Sequence, residues 1–392
     1  MWWLGFAFHE VSAGFLSVFI PLYIIYLGGS LTHVGLASSL VTLLAIPASF
    51  LWGYLCDKSR RYKPYILLSF LSITILLYAL TLTTDIHLLI TLYAVMSFLH
   101  VAHEPPKNVL IAESYTRRSW ERAYALYGGI VNTSCLIGVF LGTYMSIQGL
   151  IASHALLVCS ILNFTAFITS VFLVREPFFI FERSLVKIEK NILRAYNGLL
   201  TALKAMNGAC RIEYYTENST KRFCFGILLF FMATNMLFAP LPIFFSREIA
   251  LTESMVYTLF CMNFLGSITG HLLMLYSNLE MKSLYRVSAL RGILALSLVA
   301  ARGSDHGVAL SALVLFLLGF LYAIFHTLSL SMSMEILPEG MTGVFNVLTG
   351  LGGALGSFLG SFLAEKSGFT YLFLGAGLSF LTAYVILKTA IK

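Results

Sequence analysis

The stretch GYLCDKSRRYKP, residues 53–64, concentrates charged side chains between two long apolar segments. Only 11% of the 392 residues are Asp, Glu, Lys or Arg, whereas roughly 25% is usual in a soluble domain. Five of these charged residues lie in the one stretch: Asp57, Lys58, Arg60, Arg61 and Lys63. We therefore interpret residues 53–64 as a polar loop that joins two segments buried in an apolar medium.

Apolar runs like the two that flank this loop recur along the whole chain, of which 58% is hydrophobic. A helix of about 20 apolar residues crosses the roughly 30 Å hydrocarbon core of a membrane. Runs of that length occupy residues 4–27, 34–55, 65–83, 87–108, 123–147, 152–174, 223–246, 253–276, 286–301, 307–333, 342–364 and 369–388. They are continuous rather than alternating, which excludes a membrane β-barrel. The sequence predicts an all-α membrane protein with twelve transmembrane helices.

One long polar segment, residues 175–222, divides the spans into six before it and six after it. The two parts match weakly at an offset of about 222 positions, which is typical of a duplicated transporter half. The matching pairs are Glu113 with Glu335, Gly128 with Gly350, and Gly138 with Gly360. We predict six-helix bundles at 1–174 and 223–392, related by a pseudo-two-fold axis, with a central cytoplasmic loop at 175–222.

The formal charge of +7 is distributed unevenly across the predicted membrane. With twelve spans both termini lie on one side, and nearly all of the 25 Lys and Arg residues fall on that side. The exceptions are Arg247, Arg302 and Lys366 on the opposite side and Arg291 within a span. Such a bias places the basic side in the cytoplasm. We expect a monomeric plasma-membrane protein with cytoplasmic termini, in contact with lipid and without a nucleic-acid partner.

The loop at 53–64 resembles the signature loop of the major facilitator superfamily, which joins the second and third helices of those transporters. Its pattern is Gly-x-Leu-Ala-Asp-Arg-x-Gly-Arg, and the positions that match it are Gly53, Leu55, Asp57 and Arg61. Arg60 stands where the pattern has its second Gly. The resemblance therefore covers the place and charge of the loop and leaves its finer geometry open.

A second stretch, AESYTRRSWERAYAL at residues 112–126, resembles the loop before the fifth helix in the same superfamily. Its marked positions are Glu113 and Arg122. With twelve spans and a long central segment, the likeness extends over essentially the whole chain. It implies two bundles that rock around a central site and expose that site to one side of the membrane at a time.

By the same resemblance, the two loops form a latch that holds the outward-facing state. Its residues are Gly53, Asp57, Arg61, Glu113 and Arg122. Asp57 is expected to contact the other bundle near the start of the eleventh span. The alternative is that basic residues of the loop only set membrane orientation, which suits Lys58 and Arg60. It does not suit Asp57, because acidic residues contribute little to orientation.

Ionisable residues within membrane spans are candidates for function, because burying them is costly. Five of them are placed on cavity-lining helices by the resemblance: Glu10, His100, His103, Glu104 and His326. One interpretation is that they bind a substrate charge or carry a coupling proton. The other is that they lie at the membrane interface, reaching water or forming inner-gate pairs such as Glu104 with Lys107. The sequence does not decide between the two.

Nearer the middle of the membrane, the candidate polar residues are neutral: Ser97, Asn132, Asn235 and Asn263. Asn235, on the seventh span, is the best placed to meet a solute. Hydrogen bonding between helices explains membrane Asn residues equally well. A midplane without fixed charge favours a neutral or lipophilic solute over a strongly anionic one.

The sequence contains no GxxxxGK[ST] loop, so we expect secondary transport of a small organic solute and not direct use of ATP. The six cysteines have no paired spacing, and we expect neither disulfides nor a metal site, nor any cofactor. We expect no enzymatic activity, because no soluble domain is large enough for it. Export of lipophilic compounds and uptake of a nutrient such as a sugar both remain open. So does a receptor or lipid-handling protein of the same fold that does not cycle a solute.

Overall fold

The computed structural model describes residues 2–114, 120–150, 152–175, 217–276, 280–302, 306–336 and 342–391, with side chains left undescribed at 112–122, 217–218 and 334–343. Twelve helices are long and apolar enough to cross a membrane, which confirms the twelve predicted spans. They are α1 Trp3–Tyr26, α2 Leu31–Ser59, α3 Lys63–Thr81, α4 Ile86–Ile111, α5 Ala123–Ile147, α6 Ala152–Leu173, α7 Ser219–Arg247, α8 Glu253–Tyr276, α9 Ser283–Ala301, α10 Gly307–Ser333, α11 Val344–Ser367 and α12 Phe369–Ala390.

The helices pack as two bundles of six with the same neighbours in each. In the first half α1 packs on α5 and α6, α3 packs on α6, and α4 packs on α2 and α3. In the second half α7 packs on α11 and α12, α9 packs on α12, and α10 packs on α8 and α9. Adding six to each number in the first set gives the second, so the predicted pair of related six-helix bundles is confirmed. The central segment lies outside the described residues between 176 and 216.

The two halves meet along two helix pairs, α2 with α11 and α5 with α8. The α5–α8 pair also meets near the terminus side, where Gly128 lies against His271, whereas the α2–α11 pair is joined on the side of the membrane opposite the termini. There the backbone N–H and hydroxyl of Thr32 both donate to Glu365 Oε2 at 2.6 Å. Gly35 lies against Ser361 one turn further in. Towards the terminus side, a Cβ on Gly53 would meet no described atom within 4 Å. The α2–α11 interface between the two halves is therefore closed on the side opposite the termini.

Two spans lose regular α-helical geometry where proline interrupts them. Pro105 and Pro106 have no N–H to donate to the carbonyls of Val101 and Ala102, and the chain there tightens into a 3₁₀ turn over Val101–His103. In α7 the helix ends at Phe238, and a new helical segment begins at Leu241 after Pro240. Both irregularities position side chains of the candidate site.

Glycines let α11 approach α7 closely enough for backbone contact. A Cβ on Gly356 would collide with the carbonyl oxygen of Met232, and Gly352 and Gly360 meet Leu228 and Met236 in the same way. These three glycines therefore form a helix-packing surface. Close approach of this kind stabilises helix pairs in lipid, where the hydrophobic effect does not drive association.

Replacing Gly356 with Ala is expected to destabilise the protein by about 1–3 kcal/mol, because α7 and α11 must move apart to admit the methyl group. The matched control is Gly129→Ala on α5, where an added Cβ meets no described atom within 4 Å. Thermal unfolding in detergent, followed by size-exclusion chromatography, measures both. Equal unfolding temperatures for the two variants would show that the α7–α11 contact is not tight.

Candidate functional site

A cavity of about 190 Å³ lies between the two halves. Helices α1, α2 and α4 of the first half and α7 and α11 of the second contribute its walls. Its polar lining consists of Ser17, Ser38, Thr42, Tyr93, Asn235 and Ser357. The rest of its lining is apolar, and none of the described residues that line it is charged. The cavity therefore offers neutral hydrogen-bonding groups to a solute held at the interface.

Proline residues interrupt backbone hydrogen bonding beside this cavity and leave backbone groups available to it. Pro21 lies within α1 and lines the cavity, and it cannot donate to the carbonyl of Ser17, which lines it too. Phe238 and Ala239 line it where α7 breaks before Pro240. Unwound backbone at a transporter interface commonly coordinates solute or ions. The breaks thus fall where they expose hydrogen-bonding capacity to the cavity.

Asn235 is the one predicted neutral residue that lines this cavity. Its Nδ2 donates to the carbonyl of Phe231 at 3.0 Å, while its Oδ1 makes no hydrogen bond to the described residues. The other three predicted residues bond to helix backbone. Ser97 donates to Val41 O at 2.9 Å, Asn132 to Gly128 O at 2.8 Å, and Asn263 to Leu315 O at 3.1 Å. Their contacts are those of packing between or within helices.

The structure brings His100 and His103 together on one face of α4. In a 3₁₀ turn residues i and i+3 eclipse, and the two rings lie 4.6 Å apart between centroids at an interplanar angle of 89°. Glu104 N–H bonds to Val101 O in this turn, so His100 O is available to accept from Ser69 Oγ at 3.0 Å. His103 is fully buried against Phe6 and Phe70 and does not line the cavity.

A third imidazole, that of His9 on α1, completes this cluster. Its Nε2 lies 3.1 Å from His100 Nδ1, and its Nδ1 lies 2.7 Å from Asn163 Oδ1 on α6. One ring nitrogen from each of the three histidines lies within 4.8 Å of the other two. His9 was not among the residues predicted from the sequence, although its place within a membrane span was a signal, because the neighbouring Glu10 is the more conspicuous residue.

Two carboxylates lie beside the histidine cluster with different partners. Glu104 forms an ion pair with Lys107, the pair expected for an inner gate, and its Oε1 lies 3.4 Å from His103 Nε2. Glu10 accepts only a weak contact from the Cys135 thiol, whose sulfur lies 3.9 Å from Oε2. Among the described residues, no Lys, Arg or His nitrogen lies within 4.0 Å of the Glu10 carboxylate.

His326 does not join the other predicted ionisable residues. It lies in the second half, where its ring stacks on Tyr322 at 5.7 Å and meets Phe231 and Phe345 edge-on. The same half buries Arg291 completely, with Nη1 donating to Leu318 O at 2.9 Å. The guanidinium carbon lies 5.1–6.0 Å from four aromatic rings: those of Phe230, Phe238, Tyr322 and Phe380. The sequence marked Arg291 only as an interruption of its span.

The predicted latch residues are partly described. Gly53 lies near the terminus-side end of α2, and Asp57 and Arg61 are exposed there. The side chains of Glu113 and Arg122 lie outside the described residues. On the opposite side, Glu365 of the second half holds the first turn of α2 through Thr32. A carboxylate at a helix N-terminus is stabilised by the helix dipole. This second contact was not predicted from the sequence.

A family profile described as Major Facilitator Superfamily matches residues 2–346. Among solved structures, one of proton-dependent oligopeptide transporters aligns with a TM-score of 0.78 at 13% identity, covering 98% of this chain and 96% of the other. The nucleoside transporter NupG aligns with a TM-score of 0.75 at 14% identity, covering 98% and 97%. The human organic anion transporter MFSD10 (TETRAN) aligns with a TM-score of 0.71 at 14% identity, also covering 98% and 97%. No protein of curated function matches the sequence significantly.

Proposed function

The chain belongs to the major facilitator superfamily, and from that premise we propose that it is a secondary transporter of a small, neutral, polar organic solute. It works by alternating access in the plasma membrane, with both termini in the cytoplasm. The basic residues on the terminus side support this orientation. The fold is that of a multi-pass membrane transporter, which argues against an enzymatic function.

The observation that carries the proposal is the neutral cavity between the halves. Asn235, Tyr93 and Ser17 reach it from three different helices of the two halves, so a solute bound there contacts both moving bodies. Its volume of about 190 Å³ lies below the roughly 300–1,000 Å³ that holds drug-sized ligands. Uncharged lining leaves a charged solute without a partner, whereas hydroxyl and amide groups satisfy a neutral polar one.

Alternating access requires two states of similar free energy, each held by contacts that the other lacks. The structure supplies one set, the contact of Glu365 with Thr32 that closes the side opposite the termini. In the proposed orientation this is the inward-facing state. The latch around Asp57 holds the alternative, outward-facing state, together with Gly53, Arg61, Glu113 and Arg122.

We assign proton coupling to Glu10. A coupling carboxyl group must exist in both protonated and ionised forms during the cycle, so it cannot be tied permanently to a basic partner. Glu104 pairs with Lys107, whereas the Glu10 carboxylate has no such partner among the described residues. Its position on α1, which also lines the cavity through Ser17 and Pro21, connects it to the solute site.

The test begins with a screen for solutes that raise the unfolding temperature of the purified protein, using sugars, polyols, nucleosides, dipeptides and organic anions. Nucleosides, dipeptides and anions are included because the similar structures are named for such solutes. We expect a neutral polar hit that also shows counterflow in proteoliposomes. Asn235→Ala should raise its KM by about tenfold, the loss of one hydrogen bond to a buried polar group.

The matched control is Asn132→Ala, since that amide bonds only to its own helix at Gly128 O among the described groups. It should leave KM within about twofold of the unsubstituted protein, because Asn132 does not line the cavity. Binding of the hit without any counterflow would favour a receptor. A hit confined to organic anions would refute the neutral cavity as the solute site.

A further inference from the structure

The geometry points to a binding site for a divalent transition-metal ion, of which Zn²⁺ is the representative, between His9, His100 and His103. The three ring nitrogens lie within 4.8 Å of one another. Around a tetrahedral Zn²⁺, with Zn–N near 2.0–2.1 Å, they would lie roughly 3.3 Å apart. Small rotations of the side chains therefore bring them to an ion. Imidazole is a preferred ligand of Zn²⁺ and its neighbours in the first transition row.

Hydrogen bonding fixes which nitrogen of His9 can bind a metal. Asn163 Nδ2 donates to Ser12 Oγ and to Cys159 O, each at 2.8 Å, so its Oδ1 points to the histidine. Oδ1 can only accept, and His9 Nδ1 must therefore carry the proton of their 2.7 Å bond. In the neutral ring this leaves a lone pair on Nε2, the nitrogen that faces His100.

Hydrogen bonding also fixes which ring nitrogen of His103 carries the proton. Ser69 has one hydroxyl proton, and it is given to His100 O, which can only accept. His103 Nδ1 therefore donates to Ser69 Oγ at 3.1 Å, and Nε2 of the neutral ring carries a lone pair. That nitrogen is fully buried and makes no hydrogen bond to any described group. A buried acceptor left unpaired is costly. Glu104 Oε1, also an acceptor, lies 3.4 Å from this nitrogen, so a cation bound between the two would satisfy both.

This arrangement is the one that metal-bound histidines usually have. A ligating imidazole normally donates its other N–H to a fixed acceptor, which orients the ring and sets its tautomer. Asn163 does this for His9, and Ser69 does it for His103. His100 becomes the third ligand through Nδ1 once its proton moves to Nε2. A proton on His103 Nε2 would satisfy one of these nitrogens, whereas a metal ion would satisfy all three.

Charge and access are consistent with a cation at this position. Glu104 Oε1 lies 3.4 Å from His103 Nε2 and offers a carboxylate as fourth ligand or neighbour. The Glu104 side chain is 37% exposed, which opens a path to the site from the edge of α4. All contributing helices, α1, α3, α4 and α6, belong to the first half. Rocking of the halves does not expose such a site to alternate sides, so the ion is resident and is not the transported solute.

The experiment uses the full-length protein, purified through a tag without histidine and stripped with chelator, and titrated with Co²⁺ and then Zn²⁺. We expect a single equivalent of Co²⁺ to give the visible spectrum of a tetrahedral nitrogen and oxygen site, which Zn²⁺ displaces. Zn²⁺ should also raise the unfolding temperature, because it binds the folded state. Ser69→Ala should weaken binding roughly 10–100-fold, since it removes the hydroxyl that orients His103 and also bonds to the His100 carbonyl, while leaving all three imidazoles in place. His103→Gln should weaken it further.

The control is His87→Gln, which alters an exposed histidine whose ring lies 6.0 Å from that of His33 on the opposite side of the membrane. It should bind Co²⁺ as the unsubstituted protein does. Should His103→Gln not fold, Ser69→Ala decides the matter alone. Equal Co²⁺ affinity in Ser69→Ala and the unsubstituted protein, or no tetrahedral spectrum at all, would overturn the metal site. Accumulation of Zn²⁺ by proteoliposomes would overturn the assignment as a resident ion.

Discussion

Replacing Glu10 with Gln is expected to abolish solute accumulation driven by a pH gradient while leaving counterflow intact. Gln resembles the protonated carboxyl group in shape and charge, so the loaded carrier still moves between its two states. It cannot pick up or release a proton, and solute movement is then no longer tied to the gradient. One coupled proton supports about tenfold accumulation per pH unit, so about that factor should be lost for each unit imposed.

The measurement is uptake of the identified solute into proteoliposomes with and without a pH gradient. Glu253→Gln is the matched control, because Glu253 is an exposed residue at the start of α8 on the far side of the membrane. Its accumulation ratio should equal that of the unsubstituted protein. An unsubstituted protein that ignores the gradient would remove proton coupling altogether, and a Glu10→Gln variant that still accumulates solute would move the coupling group elsewhere.

Asp57→Asn and Glu365→Ala are expected to shift the same conformational equilibrium in opposite directions. Glu365→Ala removes the acceptor of two hydrogen bonds that close the side opposite the termini, so the proposed outward-facing state should gain population. Hydrogen bonds to a charged group contribute about 1.5–3 kcal/mol, which corresponds to at least about a tenfold change in the equilibrium. Asp57→Asn weakens the proposed latch of the outward-facing state, and flux should fall about as much while solute binding is retained.

The reporter is a cysteine at Ser17, which is exposed to the cavity. The five described native cysteines are buried, and Cys210 is replaced by Ser in the background. An impermeant thiol reagent added outside should label the Ser17→Cys protein faster with Glu365→Ala and more slowly with Asp57→Asn. Labelling that changes in the same direction for both variants would contradict opposing latches. Normal flux in Asp57→Asn would refute the latch on that side.

The fold followed closely from hydropathy because a membrane imposes the length of each helix. Continuous apolar runs located all twelve spans, and the weak repeat anticipated two bundles with equivalent packing. Hydropathy does not predict the rotation of a helix about its own axis. Asn235 was judged the best placed of the neutral residues from the span on which it lies, and it alone of Asn132, Asn235 and Asn263 lines the cavity. Rotation depends on packing between helices, and the glycine contacts of α11 show how local that packing is.

The candidate site was predictable in part. His100 and His103 stood out as ionisable residues in a span, but the tightened turn before Pro105 and Pro106 that brings their rings together was not predicted. The third histidine could not be placed from spacing, because His9 comes from a helix 91 residues away in sequence from His100. The contact between Glu365 and Thr32 spans 333 residues and was beyond any local pattern.

Arg291 gives the two halves different sensitivities to their surroundings. At the repeat offset of about 222 it falls on Ser69, and Tyr322 falls on His100, so both halves bury polar chemistry at equivalent positions. In the second half that chemistry is a guanidinium enclosed by aromatic rings, which keeps its charge across physiological pH. In the first half it is a set of imidazoles, the groups that we propose as ligands of a metal ion. The proposed metal site would thus make the first half, and not the guanidinium cluster of the second, the part of the fold on which metal supply acts.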